Sequence, residues 1–364
     1  MNILFLTTHI NSGGITTYLK TLTRGFLERK HRVVVVSSAG DTQEDFISLG
    51  AQVKILNIKT KSELSPKIYL SLGKIEKIIN EENIHIIHAH TRITQVAAHI
   101  LKKRTSRAYV STCHGFFRKR ISRRLFPCWG DKVIAISEAV ASHLKSDFRV
   151  SEEKIAIIPS GIPLKDFSLT SEAQKIELRK EYNLQEEPIL GMVARFSEVK
   201  GQDILIKAMK KIVQEFPKTK LLLIGEGKTG QELKDLVHFY SLEDHVLFFP
   251  VVNQTAKFLS LMDVFVMPSR QEGLGISVME AQAAGLPVVA SRVGGIPSLI
   301  EQGKTGFLVE TENSDQLAET VIKLLKDPYK AREIGTAARK FIEHNHSADR
   351  MIEKTLNVYE RLIA

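Results

Sequence analysis

At 364 residues the chain exceeds the size at which one hydrophobic core stops growing, so two domains are expected. With 43% hydrophobic and 25% charged residues it is not a collagenous, low-complexity or largely disordered chain, and two cysteines, Cys113 and Cys128, cannot build a disulfide framework or a Cys-rich zinc site. The net charge of +10 belongs to one half: residues 1–165 carry 26 Lys and Arg against 13 Asp and Glu, the remainder 25 against 28, which points the first half toward an anionic partner.

Met1–Thr7 has no basic leader and is not read as a signal peptide, and Asn2–Thr7 is read as the first strand. Further strand-like runs follow at Arg32–Ser37, Gln52–Ile58, Ile84–Ala89, Ala108–Thr112, Lys132–Ile136 and Ile155–Ile158. Helical spacing of apolar residues appears between them at Ile15–Arg29, Pro66–Asn80, Ile93–Lys103 and Glu138–Lys145. Continuous apolar strands alternating with helices predict a parallel sheet covered on both faces. After the breaker cluster Pro159–Pro163 the pattern restarts, with strands at Ile189–Ala194, Lys220–Gly225, Val246–Phe249, Val264–Met267 and Val288–Ala290. Its helices are Gln202–Phe216, Gly230–Tyr240, Thr255–Met262 and Ser277–Ala284, and Ser314–Ala364 is helical apart from two breaks. The expectation is an α/β chain of two Rossmann-like doubly wound domains, residues 1–163 and 164–345, facing a central cleft. Residues 346–364 form a last helix packing back toward the first domain. No apolar run approaches the roughly 20 residues of a membrane span, so a cytoplasmic protein is expected.

Three loops carry candidate chemistry. Gly13-Gly14 leads from the first strand into a helix, where backbone N–H groups can approach an anion. Arg195 and Lys200 stand five residues apart on a strand-to-helix loop, able to reach one pyrophosphate from two sides. Glu272 and Glu280 lie eight apart across Gly273-Leu274-Gly275; two such carboxylates can hold the hydroxyls of one small ligand, and the Gly-Leu-Gly backbone offers donors to phosphate. Glu280, between Met279 and Ala281 in an apolar helix, is otherwise an acid without a reason.

Arg195-x4-Lys200, Glu272-x7-Glu280, the early Gly-Gly and the stretch Asp263–Ile300 resemble the retaining glycosyltransferases of family 4, of GT-B fold, over almost the whole chain. The resemblance implies a nucleotide-diphosphate-sugar donor, a UDP-sugar being favoured. Arg195, Lys200, Gly13, Gly14 and the Gly273, Leu274, Gly275 backbone would hold its diphosphate, Glu280 its ribose and Glu272 its sugar hydroxyls. It also implies a catalytic role for His114, at the end of the Ala108–Thr112 strand, with His9 on the acceptor side. Val251 marks the base pocket, where Pro250 removes a main-chain donor that the family usually has.

No Asp-x-Asp occurs, so neither a metal nor any other cofactor is expected. Transfer with retention would then proceed by same-face attack as the diphosphate leaves and takes the acceptor proton. A sugar-nucleotide epimerase of the same fold lacks the Arg/Lys plus Glu/Glu combination, and a nucleic-acid-binding use of the basic half would show steep salt dependence; no nucleic acid is expected. The basic segment Gly115–Gly130 is read instead as membrane-facing. Phe117, Ile121 and Leu125 fall on one helical stripe beside Arg118, Lys119, Arg120, Arg123 and Arg124, with Trp129 following. This implies peripheral docking at the inner face of the cell membrane, with a lipid-linked or cell-surface glycan acceptor such as lipopolysaccharide.

Overall fold

The computed structural model of the chain describes residues 1–60, 62–167, 170–252 and 254–364, without the side chain of Ile121. The chain forms two compact units, Met1–Gly161 with Ala348–Ala364, and Ile162–Ser347. Among the described residues no helix is long and apolar enough to cross a membrane.

The first unit is a seven-stranded sheet of β1 (Asn2–Leu6), β2 (Arg32–Ser37), β3 (Gln52–Ile55), β4 (Ile86–Ala89), β5 (Ala108–Cys113), β6 (Lys132–Ala135) and β7 (Ile155–Ile157). Their order is β3-β2-β1-β4-β5-β6-β7, and every pairing is parallel. The helices are α1 (Gly14–Glu28), α2 (Gln43–Ser48), α3 (Pro66–Glu81), α4 (Arg92–Thr105), the single turn α5 (Ile121–Leu125) and α6 (Glu138–Phe148). Val33–Val36 and Ile3–Leu6 are buried throughout, as strands covered on both faces must be.

In the second unit, α7 (Glu172–Glu181) precedes β8 (Ile189–Val193), α8 (Gln202–Glu215), β9 (Lys220–Ile224), α9 (Gly230–Phe239), β10 (Val246–Phe249) and α10 (Thr255–Leu259). Then come β11 (Val264–Met267), α11 (Ile276–Ala283), β12 (Val288–Ser291), β13 (Phe307–Val309), α12 (Ser314–Lys326) and α13 (Pro328–Asn345). The strand order β10-β9-β8-β11-β12-β13 is again all parallel. In each sheet the order reverses once, between β1 and β4 and between β8 and β11. The loops leaving those four strands are where a doubly wound sheet receives its ligand.

The last helix, α14 (Ala348–Ile363), belongs to the first unit. Its buried face is Met351, Ile352, Thr355, Leu356 and Tyr359. Gly25 makes room for it on α1: a Cβ there would lie 2.1 Å from Ile352 Cδ1.

Three elements escape the sequence pattern: α2, α7 and β13. The first has only six residues and the last three, too short for a period to register. Helix α7 is strongly charged, and its signal is a reciprocal Ser171–Gln174 capping box rather than an apolar stripe.

Candidate active site

Two loops of the second unit are locked together at the point of strand reversal. Gly201 caps α8 with φ 72°, a conformation that favours glycine, and a Cβ there would meet the Pro268 carbonyl oxygen at 2.1 Å. The Arg270 main-chain N–H donates to Val199 O (2.9 Å). Its guanidinium forks onto Asp203 through two bonds of 2.8 Å, donates to Glu198 O (2.6 Å) and pairs with Glu312. Arg270 is a positioning residue that the motif reading passed over, because nothing in the linear spacing shows that it faces α8.

This clamp brings Lys200 Nζ onto Glu272 Oε1 as an ion pair, with Ser269 Oγ donating to the same oxygen at 3.3 Å. Glu272 is 9% exposed and Ser269 fully buried. The two residues read separately from sequence, one for diphosphate and one for sugar, are thus each other's counter-ion. Arg195 is exposed, while its carbonyl oxygen accepts from Gln202 Nε2 at 3.1 Å, holding the loop.

Glu280 sits on the second turn of α11 and is half-buried, and its carboxyl makes no hydrogen bond among the described residues. Burial pushes its pKa up to about 7. Such a group gains by accepting hydroxyl hydrogens from a ligand. Just before it, Gly275 caps α11 and Leu274 is buried, so the first-turn N–H groups of α11 face the same loop region as Glu272. Val251 is 48% exposed in the loop after β10.

The first unit carries a histidine cluster at the ends of β4 and β5. His88 is fully buried and bonded to Tyr359 Oη and to Thr112 Oγ1 (2.7 Å), which makes it a packing residue. His90 Nδ1 lies 3.2 Å from His114 Nε2, and the His114 ring meets Tyr18 edge-on at 4.9 Å. Burial pushes His114 down to about 3, so its imidazole is neutral at ordinary pH. It can supply a hydrogen bond and not a charge. His9 is half-buried, its Nδ1 accepting from the Asn11 N–H (3.3 Å). Gly13 caps α1 with φ 151°, and Gly14 begins that helix; both therefore belong to the first unit, while Arg195 and Lys200 belong to the second.

The membrane-facing stripe needs correction. Helix covers only Ile121–Leu125, so Phe117 precedes it and the expected i, i+4, i+8 row does not form. Phe117 packs near Trp129 (6.1 Å between centroids) and Phe148 (6.5 Å), and the Arg123 guanidinium lies 3.9 Å over its ring. Trp129 and Arg123 are 6% and 7% exposed. Aromatic packing and cation–π contact hold these residues inside the domain. Arg118, Lys119, Arg120 and Arg124 remain at the surface, next to Leu125 and Phe126 at 69% and 67% exposure.

Residues 174–341 match the family model described as glycosyl transferases group 1, and residues 12–166 match that of glycosyltransferase family 4. The GDP-mannose-dependent alpha-(1-6)-phosphatidylinositol monomannoside mannosyltransferase of Mycolicibacterium smegmatis is 28% identical over 92% of this chain and 91% of its own. The N-acetyl-alpha-D-glucosaminyl L-malate synthase of Bacillus anthracis is 28% identical over 79% and 77%. Among solved structures, Anabaena Alr3699/HepE in complex with UDP-glucose shares the fold, with a TM-score of 0.89 at 23% identity and 100% of both chains covered.

Proposed function

The chain belongs to the group 1 glycosyltransferases of family 4 type, with the GT-B fold, and on that premise we propose that it moves a sugar from a nucleotide-diphosphate donor, a UDP-sugar being favoured, with retention and without a metal. The observation that carries this reading is the Lys200–Glu272 pair, joining the loops after β8 and β11, with Glu280 following on α11. Arg195 and Lys200 take the diphosphate, and the first-turn N–H groups of α11 assist them. When the diphosphate displaces Glu272 from Lys200, the freed carboxylate turns to the hydroxyls of the sugar. Glu280 accepts from the ribose hydroxyls.

As the bond from the anomeric carbon to the diphosphate oxygen breaks, these cations and dipoles stabilise the departing charge. The acceptor oxygen bonds to the anomeric carbon on the same face, and its proton passes to a diphosphate oxygen. His114, held neutral, hydrogen-bonds a substrate hydroxyl. His9 and the exposed bases Arg118, Lys119, Arg120 and Arg124, with Leu125 and Phe126, support an acceptor that is lipid-linked or part of a cell-surface glycan, met at the inner membrane face. The mannosyltransferase relative, whose name specifies a phosphatidylinositol mannoside, favours this side of the reading.

A thermal-shift screen of UDP-, GDP- and ADP-sugars tests the donor, because stabilisation grows with ligand concentration over dissociation constant. One base should stand out; no stabilisation by any of the three would refute the reading.

A further inference from the structure

The loop after β5 encloses a second charged site, apart from the donor residues. An open pocket of about 260 Å³ is lined by Arg92, Arg118, Arg120 and Arg123, with Phe117 and the single acid Glu63. Two of these arginines are inside the protein, Arg92 at 8% and Arg123 at 7% exposure. Arg92 is largely satisfied, donating to Glu63 Oε2 (2.8 Å), Phe126 O (2.7 Å) and Pro127 O (3.1 Å). Arg123 is not: its Nε and Nη1 are buried without an acceptor, and Phe117 covers its face at 3.9 Å.

A buried guanidinium left without acceptors is costly unless an anion completes it. Glu63 bonds Arg92 through Oε2 and makes no hydrogen bond to Arg123 among the described residues. Burial would raise the Glu63 pKa, but the hydrogen bond and charge of Arg92, then Arg123 and Arg120, carry it below its ordinary value. Burial, followed by the charge of Arg92, pulls Arg123 down to about 10. The pocket opens where β4 and β5 end, and Phe116 on its wall stands two residues after His114.

We propose that this pocket holds a phosphate group of the acceptor, gripped by the free edge of Arg123 and by Arg118 and Arg120. This rests on the reading of the chain as a glycosyltransferase whose acceptor meets the first unit. Planar guanidinium forks suit a tetrahedral dianion, which accepts several N–H bonds at once. The phosphate could be carried on a lipid headgroup or on a soluble phosphorylated acceptor, and the two are separable.

Thermal shift of the full chain with inorganic phosphate, against chloride at matched ionic strength, tests the site. Wild type and Lys200→Ala should both be stabilised by phosphate, because the pocket does not use the donor loop. Arg118→Ser/Arg120→Ser changes only exposed side chains, so its phosphate-free melting temperature should match wild type. Its apparent phosphate affinity should fall at least about tenfold, the loss of about one charge-assisted contact. An unchanged phosphate response in that variant, or an equal response to chloride, would overturn the proposal.

Co-sedimentation with phosphatidylglycerol vesicles then distinguishes the sources. Vesicle binding displaced by inorganic phosphate assigns the group to a lipid; a phosphate response without displaceable vesicle binding assigns it to a soluble acceptor. Nucleotide-sugar stabilisation should be unaffected by Arg118→Ser/Arg120→Ser. A chain that answers to phosphate but to no nucleotide sugar would keep the pocket and refute the glycosyltransferase reading instead.

Discussion

Replacing Glu280 by Gln separates what the acid costs from what it does. The folded carboxyl titrates at about 7 against an ordinary 4.5, and each pKa unit corresponds to about 1.4 kcal/mol. Full ionisation inside the protein therefore costs about 3 kcal/mol at most; water reaches part of this half-buried residue, so about 1–3 kcal/mol is the working range. The unfolded carboxyl loses its proton near the ordinary value, while the folded one holds it until about pH 7. Across that window the folded state binds more protons, so stability falls as pH rises and levels off above it. Gln carries no charge and lacks this slope. At about pH 8 the Glu280→Gln protein should melt roughly 2–12 °C above wild type, taking about 2–4 °C per kcal/mol for a unit of this size. At about pH 4 the two should coincide. The same change removes one of two acceptor oxygens and the charge, so nucleotide-sugar affinity should drop at least about tenfold. Differential scanning fluorimetry across pH, with a donor titration on the same samples, reads both effects. A variant no more stable than wild type at pH 8, or one with unchanged donor affinity, would refute the reasoning.

Lys200→Ala strands the buried Glu272 carboxylate and should cost about 1–3 kcal/mol, while the Lys200→Met/Glu272→Gln double variant should recover at least about 1 kcal/mol of that by denaturant titration. Transfer by Lys200→Ala should fall on the order of 10²–10³-fold; near-normal turnover would remove the residue from the diphosphate site. Transfer should survive excess chelator, and a loss restored only by added magnesium or manganese would contradict the metal-free mechanism. Because burial holds His114 at about 3, His114→Asn should slow transfer by one factor at every pH between about 5 and 8; a factor that changes across that range would show a titrating imidazole.

Much of this molecule is readable from the chain alone, and the reasons differ by element. Valine and isoleucine runs such as Val33–Val36 announce buried parallel strands because both faces of the sheet are covered. Helix α7 and strand β13 lack an apolar period of useful length, so they pass unnoticed. At the candidate site, Arg195, Lys200 and Glu272 draw notice in sequence because each lies on a loop leaving a strand, and Glu280 because it is an acid in an apolar helix. They do not reveal that Lys200 and Glu272 pair, or that Arg270 braces both loops, since those are contacts across 72 and 67 positions of sequence. Trp129 misleads for a related reason. Its hydrophobicity is evident in sequence, but the choice between lipid and Phe148 depends on where α6 lies.

Because α14 completes the first unit, that unit is discontinuous in the order of synthesis. Its sheet and α1–α6 leave the ribosome early, yet the surface of α1 around Gly25 and the Tyr359 partner of His88 wait for the last residues of the chain. Chains of this size generally fold domain by domain during synthesis. Here the second unit, contiguous from Ile162 to Ser347, has all its residues before the first does. Until Ile352 arrives, the groove on α1 is an open apolar surface on a nascent chain. A ribosome that stops short of α14 therefore releases a protein whose second unit is whole and whose histidine cluster lacks its Tyr359 hydrogen bond.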